Sequence, residues 1–171
     1  HTTVLKEDGT VWSTGYNGYG QLMDGTTNSK SVIVQAKESE EKAITNAKHI
    51  KSAGYSTFVS RKKDKDGENQ GLYVGGMNNY GNLFTKDTSY KTYATPVETD
   101  KDILTMALTR NYDGYGTGAI ADQDGMVYTV GYNANGEMAN KTTQNLTTPW
   151  CISEEKINVE KNIIDFQKAG E

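Results

Sequence analysis

Hydrophobic positions in this chain come in short β-rich runs bounded by clusters of Asp, Asn, Lys and Gly. That pattern predicts strands joined by tight turns. Thr2-Thr3-Val4-Leu5 and Thr10-Val11-Trp12-Ser13-Thr14 are joined by Lys6-Glu7-Asp8-Gly9. This reads as a hairpin, with Asp and Gly expected to supply the positive φ of the turn. Ala119-Ile120-Ala121, Asp122-Gln123-Asp124-Gly125 and Met126 to Val130 repeat it. A looser version runs from Thr57-Phe58-Val59-Ser60 through a loop to Leu72-Tyr73-Val74.

Further strands fall in the gaps between these hairpins. Val32-Ile33-Val34 and Tyr93 to Val97 are short and partly apolar, as outer strands are, and Pro96 suits a sheet edge. Ala47 to Gly54 and Asp102 to Ala107 are expected as innermost strands, and Asn162 to Gly170 as the same element opening a fourth unit.

Self-similarity decides the architecture. Gly15-Tyr16-Asn17-Gly18-Tyr19-Gly20-Gln21-Leu22 returns as Gly76-Met77-Asn78-Asn79-Tyr80-Gly81-Asn82-Leu83 and as Gly131-Tyr132-Asn133-Ala134-Asn135-Gly136-Glu137-Met138. The first glycines stand 61 and then 55 residues apart. An Asp-Gly pair precedes the first and third copies by the same distance, and Thr27, Thr88 and Thr143 follow all three at one offset. Four short strands per unit, repeated, are what a propeller blade requires. The expectation is an all-β, partial β-propeller of about three four-stranded blades. Residues 1–171 form one array with approximate repeats 1–54, 55–108 and 109–170, the boundary cutting through a blade.

The Gly-x-Asn-x-x-Gly stretch could be read as a phosphate cradle. Its glycine spacing fits neither the dinucleotide fingerprint nor a P-loop, and no amphipathic helix follows it. Gly15, Asn17, Gly20, Gly76, Asn78, Gly81, Gly131, Asn133 and Gly136 are therefore assigned to turn architecture, with the asparagine amide satisfying local backbone groups.

The stretch His1 to Leu22 closely resembles the repeat of the regulator of chromosome condensation family, whose His, Asp-Gly turn, aromatic before Gly-x-Asn, and Gly-Gln-Leu it shares. The other two copies match less closely. The family's usual glycine after Gly-Gln-Leu is replaced by Met23, Phe84 and Ala139, and its His by Tyr55 or Ser56 and by Thr117. The resemblance implies a seven-bladed ring, of which this chain holds a part. It also suggests guanine-nucleotide exchange on a small GTPase, the activity of the best-known member, although nothing here matches that member's wedge. The asparagine- and threonine-rich wording resembles bacterial members, often found in cell-surface proteins, so an extracellular or cell-surface location is expected.

Composition narrows the partners. The net charge is −4 across 171 residues, which gives no general attraction for phosphate backbones, so nucleic acid is not expected. The longest apolar stretches are far short of a membrane span. Neither is a signal peptide expected, and the chain reads as a piece of something larger. The lone Cys151 excludes an intrachain disulfide.

Candidate chemistry is sparse. His1 fits the repeat's recurring position and is expected to hydrogen-bond within its blade; His49 is expected to be structural. Asp64 to Glu68 and Asp122 to Gly125 lack the ligand ladder of a calcium loop. Asn140 and Asn145 sit in glycosylation triplets that arise readily in such a chain. No catalytic set, cofactor or metal is expected. The departures from the repeat are insertions within 61–70 and around Arg110, Asn111, Tyr112 and Tyr115, and loops on a rigid scaffold are where binding tends to reside. The expected function is a non-enzymatic binding or scaffold module with a protein or carbohydrate partner, with self-association through open propeller edges.

Overall fold

The computed structural model describes residues 1–62, 71–99, 101–109 and 115–152. The described residues form three antiparallel sheets. The first holds β1 (Thr2–Leu5), β2 (Val11–Gly15) and β3 (Lys30–Gln35) in that order. The second runs β4 (Ala47–Ala53), β5 (Ser56–Arg61), β6 (Gly71–Gly76) and β7 (Lys91–Pro96). The third runs β8 (Ile103–Leu108), β9 (Thr117–Asp122), β10 (Val127–Gly131) and β11 (Leu146–Cys151). These are successive propeller blades, the first without an inner strand among the described residues. The predicted strand at 162–170 and the insertion within 61–70 lie outside the described residues, apart from Arg61 and Lys62.

Hairpin chemistry is local. Gly9 and Gly125 take φ of 77° and 80°, whereas Asp8 and Asp124 keep ordinary φ. The expectation that Asp shares the positive φ is thus corrected: it works through its side chain. The Asp8 carboxylate accepts the Thr10 amide at 3.0 Å and hydroxyl at 2.6 Å. Those bonds, with Lys6 nearby, hold the carboxyl down at about 2.

The three outer strands keep one register. Gly15 faces Lys30, Gly76 faces Lys91, and Gly131 faces Leu146, each after a break in regular pairing. These glycines have φ between 102° and 112°, so the motif begins at a β-bulge that redirects the chain out of the hairpin. Pro96 lies in the edge strand β7, where no ladder bond is lost.

The core lies between the blades. Val11, Met23, Ala36, Ile44, Val59 and Ala94 fill the first junction. Phe58, Leu72, Phe84, Ile103, Met106 and Ile120 are among those filling the second. Strands β5 and β6 are buried along their whole length because their sheet lies between the other two, and β9 is buried throughout as well. Complete burial of Phe58 alone contributes about 1.5–3 kcal/mol.

Candidate interaction face at the blade junctions

Each motif asparagine is completely buried and serves as the hub of its turn. Asn17 Oδ1 accepts the Leu22 N–H at 2.9 Å, while Nδ2 donates to the carbonyls of Thr26 and Asn28 and to Asp24. Asn78 accepts from Leu83 and donates to Thr85 and Asp87. Asn133 accepts from Met138 and donates to Asn140, Thr142 and Gln144. With both amide atoms committed, these side chains have nothing left to offer a ligand. The threonines repeated in the sequence, Thr27, Thr88 and Thr143, are exposed; the residues one place before them carry the turn.

The motif glycines serve the next blade. A Cβ on Gly20 would lie 2.7 Å from Thr92 Cα in β7, and one on Gly81 would lie 2.8 Å from Thr147 Cα in β11. Met23 projects into the space left by Gly75, and Phe84 packs against Gly118. Met23, Phe84 and Ala139, which replace the glycine of the resembling family, all sit in the left-handed region with φ of 55°, 64° and 52°. Glycine is the unstrained residue there; Met23 and Phe84 offset the strain by filling the junctions.

Above this packing, tyrosines gather where the turns of one blade meet the entrance to the next. Tyr19 packs tilted against Tyr55 at 4.7 Å, with Tyr16 and Tyr90 edge-on to it at 6.1 and 5.1 Å. Tyr80, Tyr115 and Tyr132 repeat the arrangement at the second junction, at 4.5–5.3 Å. Tyr19 and Tyr80 occupy the same place in their repeats. Gly18 leaves room for the Tyr16 ring to lie over the turn. Tyr16 and Tyr90 are 49% and 44% exposed, so this is an accessible aromatic surface.

Of the loop candidates, Tyr115 lies in the second cluster, while Arg110, Asn111 and Tyr112 fall outside the described residues. The other six clustered tyrosines were missed by looking for departures from the repeat. Four of them, Tyr16, Tyr19, Tyr80 and Tyr132, stand in the motif itself at its second and fifth positions, whereas Tyr55 and Tyr90 lie outside it.

The remaining candidates lie away from this face. His1 was expected to bond within its blade, but its Nε2 reaches Thr57 Oγ1 of the second blade at 2.9 Å. The register makes Ser56 and Thr117 its equivalents, and their short hydroxyls bond Met77 O and Tyr132 O inside their own blades. The longer imidazole spans the junction. His49 is exposed on β4, and partial burial with Lys48, Lys51 and Lys62 lowers its pKa. Asn140 and Asn145 accept backbone N–H groups in the third turn. Arg61, buried under Tyr73, bonds Thr45 O at 2.7 Å and Glu38 at 2.9 Å, fastening the 36–45 loop to the second blade. Among the described residues no cluster of three or more His, Cys, Asp or Glu could hold a metal, and no helix is long and apolar enough to cross a membrane.

Comparison with known proteins follows the same lines. Residues 1–21 match the family described as Regulator of chromosome condensation (RCC1) repeat. The fold is similar to human WBSCR16, with TM-score 0.65 and 17% identity over 88% of this chain and 36% of that one. It is also similar to Prp20p from Saccharomyces cerevisiae, with TM-score 0.66 and 13% identity over 88% and 35%. The chain thus spans about a third of the length of each, and at these identities the likeness is one of fold. It is a run of β-propeller blades that carries, at residues 1–21, the regulator of chromosome condensation repeat.

Proposed function

We propose that the chain is a non-enzymatic binding module whose recognition surface is the tyrosine face at the blade junctions, with a protein as partner. The observation carrying this is the exposure of Tyr16 and Tyr90 at 49% and 44% within a cluster that also holds Tyr19 and Tyr55. Tyrosine brings large, rigid, amphipathic contact area at low entropic cost, and contiguous aromatic surface on a stable scaffold is characteristic of interfaces. The net charge of −4 favours a neutral or basic partner surface over an acidic one.

Prp20p, similar in fold, is described with binding properties to Gsp1p and histones, which supports a protein partner over a carbohydrate one. The test is to probe protein and glycan arrays with the chain and with a Tyr16→Ala/Tyr90→Ala double variant of unchanged circular dichroism. Binding to protein spots should weaken about tenfold or more in the variant, the effect of losing one hot-spot side chain. Protein binding that the double variant retains in full, or binding to glycans alone, would sink the reading.

Exchange on a small GTPase is the second reading, favoured by the likeness to Prp20p. Because function resides in sites and not in folds, it rests on a nucleotide-release assay. Release no faster with the chain than without it removes it.

A further inference from the structure

Matching residues build the two described junctions, but among the described residues only the first is filled. Register and motif position make Phe84, Val97, Ile120, Tyr128 and Pro149 of the second the counterparts of Met23, Ala36, Val59, Tyr73 and Ala94 of the first. At the first junction those five pack in one cluster with Ile44, which is completely buried. The connector from β3 to β4 brings Ile44 there. Lys37 pairs with Ala43, the Ile44 N–H donates to Ala36 O at 3.0 Å, and Arg61 donates to Thr45 O at 2.7 Å.

The connector from β7 to β8 has six residues, 97–102, where the first has eleven, 36–46, and it holds no hydrophobic residue after Val97. Where Ile44 would stand there is an opening of about 180 Å³, lined by the five counterparts. Tyr73 and Ala94 are 7% and 1% exposed, whereas Tyr128 and Pro149 are only half-buried. Residues 63–70, in the loop before β6, contain no hydrophobic side chain to fill it. At the rim, Lys86 is paired with Glu98 at 2.8 Å.

The polar neighbour of this socket has changed from donor to acceptor. Asp122 stands where Arg61 stands, two residues from Ile120 and so on the same face of β9. It is 1% exposed. Its Oδ1 accepts the Asp124 and Met126 N–H groups at 3.0 and 2.9 Å, whereas its buried Oδ2 has no hydrogen-bond partner. An unpaired buried acceptor is uncommon and costly.

We propose that the socket receives a loop of a partner protein, with an aliphatic side chain in the place of Ile44 and a hydrogen-bond donor next to it for Asp122 Oδ2. The pairing of Arg61 with Thr45 is thereby reversed: the ligand donates and the blade accepts. Tyr115 precedes β9 and Asp122 ends it, so this contact is separate from the tyrosine face and independent of it.

The probe is the acetylated, amidated peptide Lys-Ala-Ile-Gln-Asn, the sequence of 42–46 carrying Thr45→Gln. Titrated into the methyl-labelled chain, it should give saturable NMR shifts at the Val97 and Ile120 methyls. Ala in place of the peptide's Ile should weaken binding about tenfold or more, since the buried side chain is lost. Glu in place of its Gln should do the same, because a carboxylate has no proton to give Asp122. Asp122→Asn, which keeps Oδ1 for the turn, should remove the preference for Gln over Glu. No shift at these methyls up to about 10 mM peptide overturns the proposal, as when residues 153–171 fill the socket. Equal binding of the Ile and Ala peptides, or of the Gln and Glu peptides, overturns it too. So do methyl shifts that follow protein concentration alone, which would give the socket to a second copy.

Discussion

Gly20 approaches Thr92 so closely that a Cβ at Gly20 would stand 2.7 Å from Thr92 Cα. Gly20 and Gly136 share a repeat position and nearly the same φ, 83° and 81°, but among the described residues only Gly20 has a neighbouring blade against it. Gly20→Ala should therefore cost about 2–5 kcal/mol, joining left-handed strain of about 1–2 to overpacking of about 1–3 kcal/mol. Gly136→Ala should cost only the strain, about 1–2 kcal/mol. Urea midpoints at unchanged slope separate the two, and equal shifts would show that junction packing is not what the glycine serves.

Asn17 offers a second test. Asn17→Ala removes the acceptor of the Leu22 N–H and the donor to Thr26 O and Asn28 O in a fully buried position. Stranding such a group costs about 1–3 kcal/mol, so with three groups stranded a loss of at least about 3 kcal/mol is expected. Asn17→Asp should fare no better, because the carboxylate would face carbonyls it cannot bond. An Asp variant as stable as wild type would contradict the hub assignment.

Ala139 should tolerate the opposite change. It is exposed at φ 52°, with no side chain buried in a junction as Met23 and Phe84 have. Ala139→Gly relieves left-handed strain of about 1–2 kcal/mol while loosening the unfolded chain by about 0.5–1. A net gain of about 0.5–1 kcal/mol in chemical denaturation is expected. Met23→Gly should instead be destabilising, since it empties the space that Met23 fills beside Gly75.

Asp24 sets an acid limit. Burial raises its carboxyl, but the Thr26 hydroxyl and amide, Lys30 and Asn17 outweigh this and hold it below its ordinary 3.8. A group lowered in the folded state contributes stability above its unfolded pKa and loses it as pH falls through the folded value. Stability should thus decline as pH drops below about 3.8, and Asp24→Asn should flatten that limb. A pH profile identical in the variant would show that Asp24 does not carry the effect.

Much of the fold was legible because its causes are local. Asp8-Gly9 and Asp124-Gly125 turn their hairpins with groups a few residues apart, and the spacing of Gly15, Asn17 and Leu22 places an amide where the backbone needs it. Pro96 announced an edge because it cannot donate to a ladder. The tyrosine face was far less legible. Tyr19 touches Tyr55 and Tyr90, and Tyr80 touches Tyr115 and Tyr132, across sequence gaps that no motif spans. Searching where the repeat was broken passed over tyrosines that the repeat itself positions.

The sequence by itself determined the repeat, its strands and the role of the Gly-x-Asn-x-x-Gly turns, since these follow from period, propensity and short-range hydrogen bonding. Only the tertiary structure decided which blade each turn serves, that His1 reaches Thr57 across a junction, and that Met23 and Phe84 hold left-handed backbone by filling the next blade. The physical reason is that blade-to-blade contact joins residues tens of positions apart, and its stabilisation depends on shape at the junction. Chain order records neither.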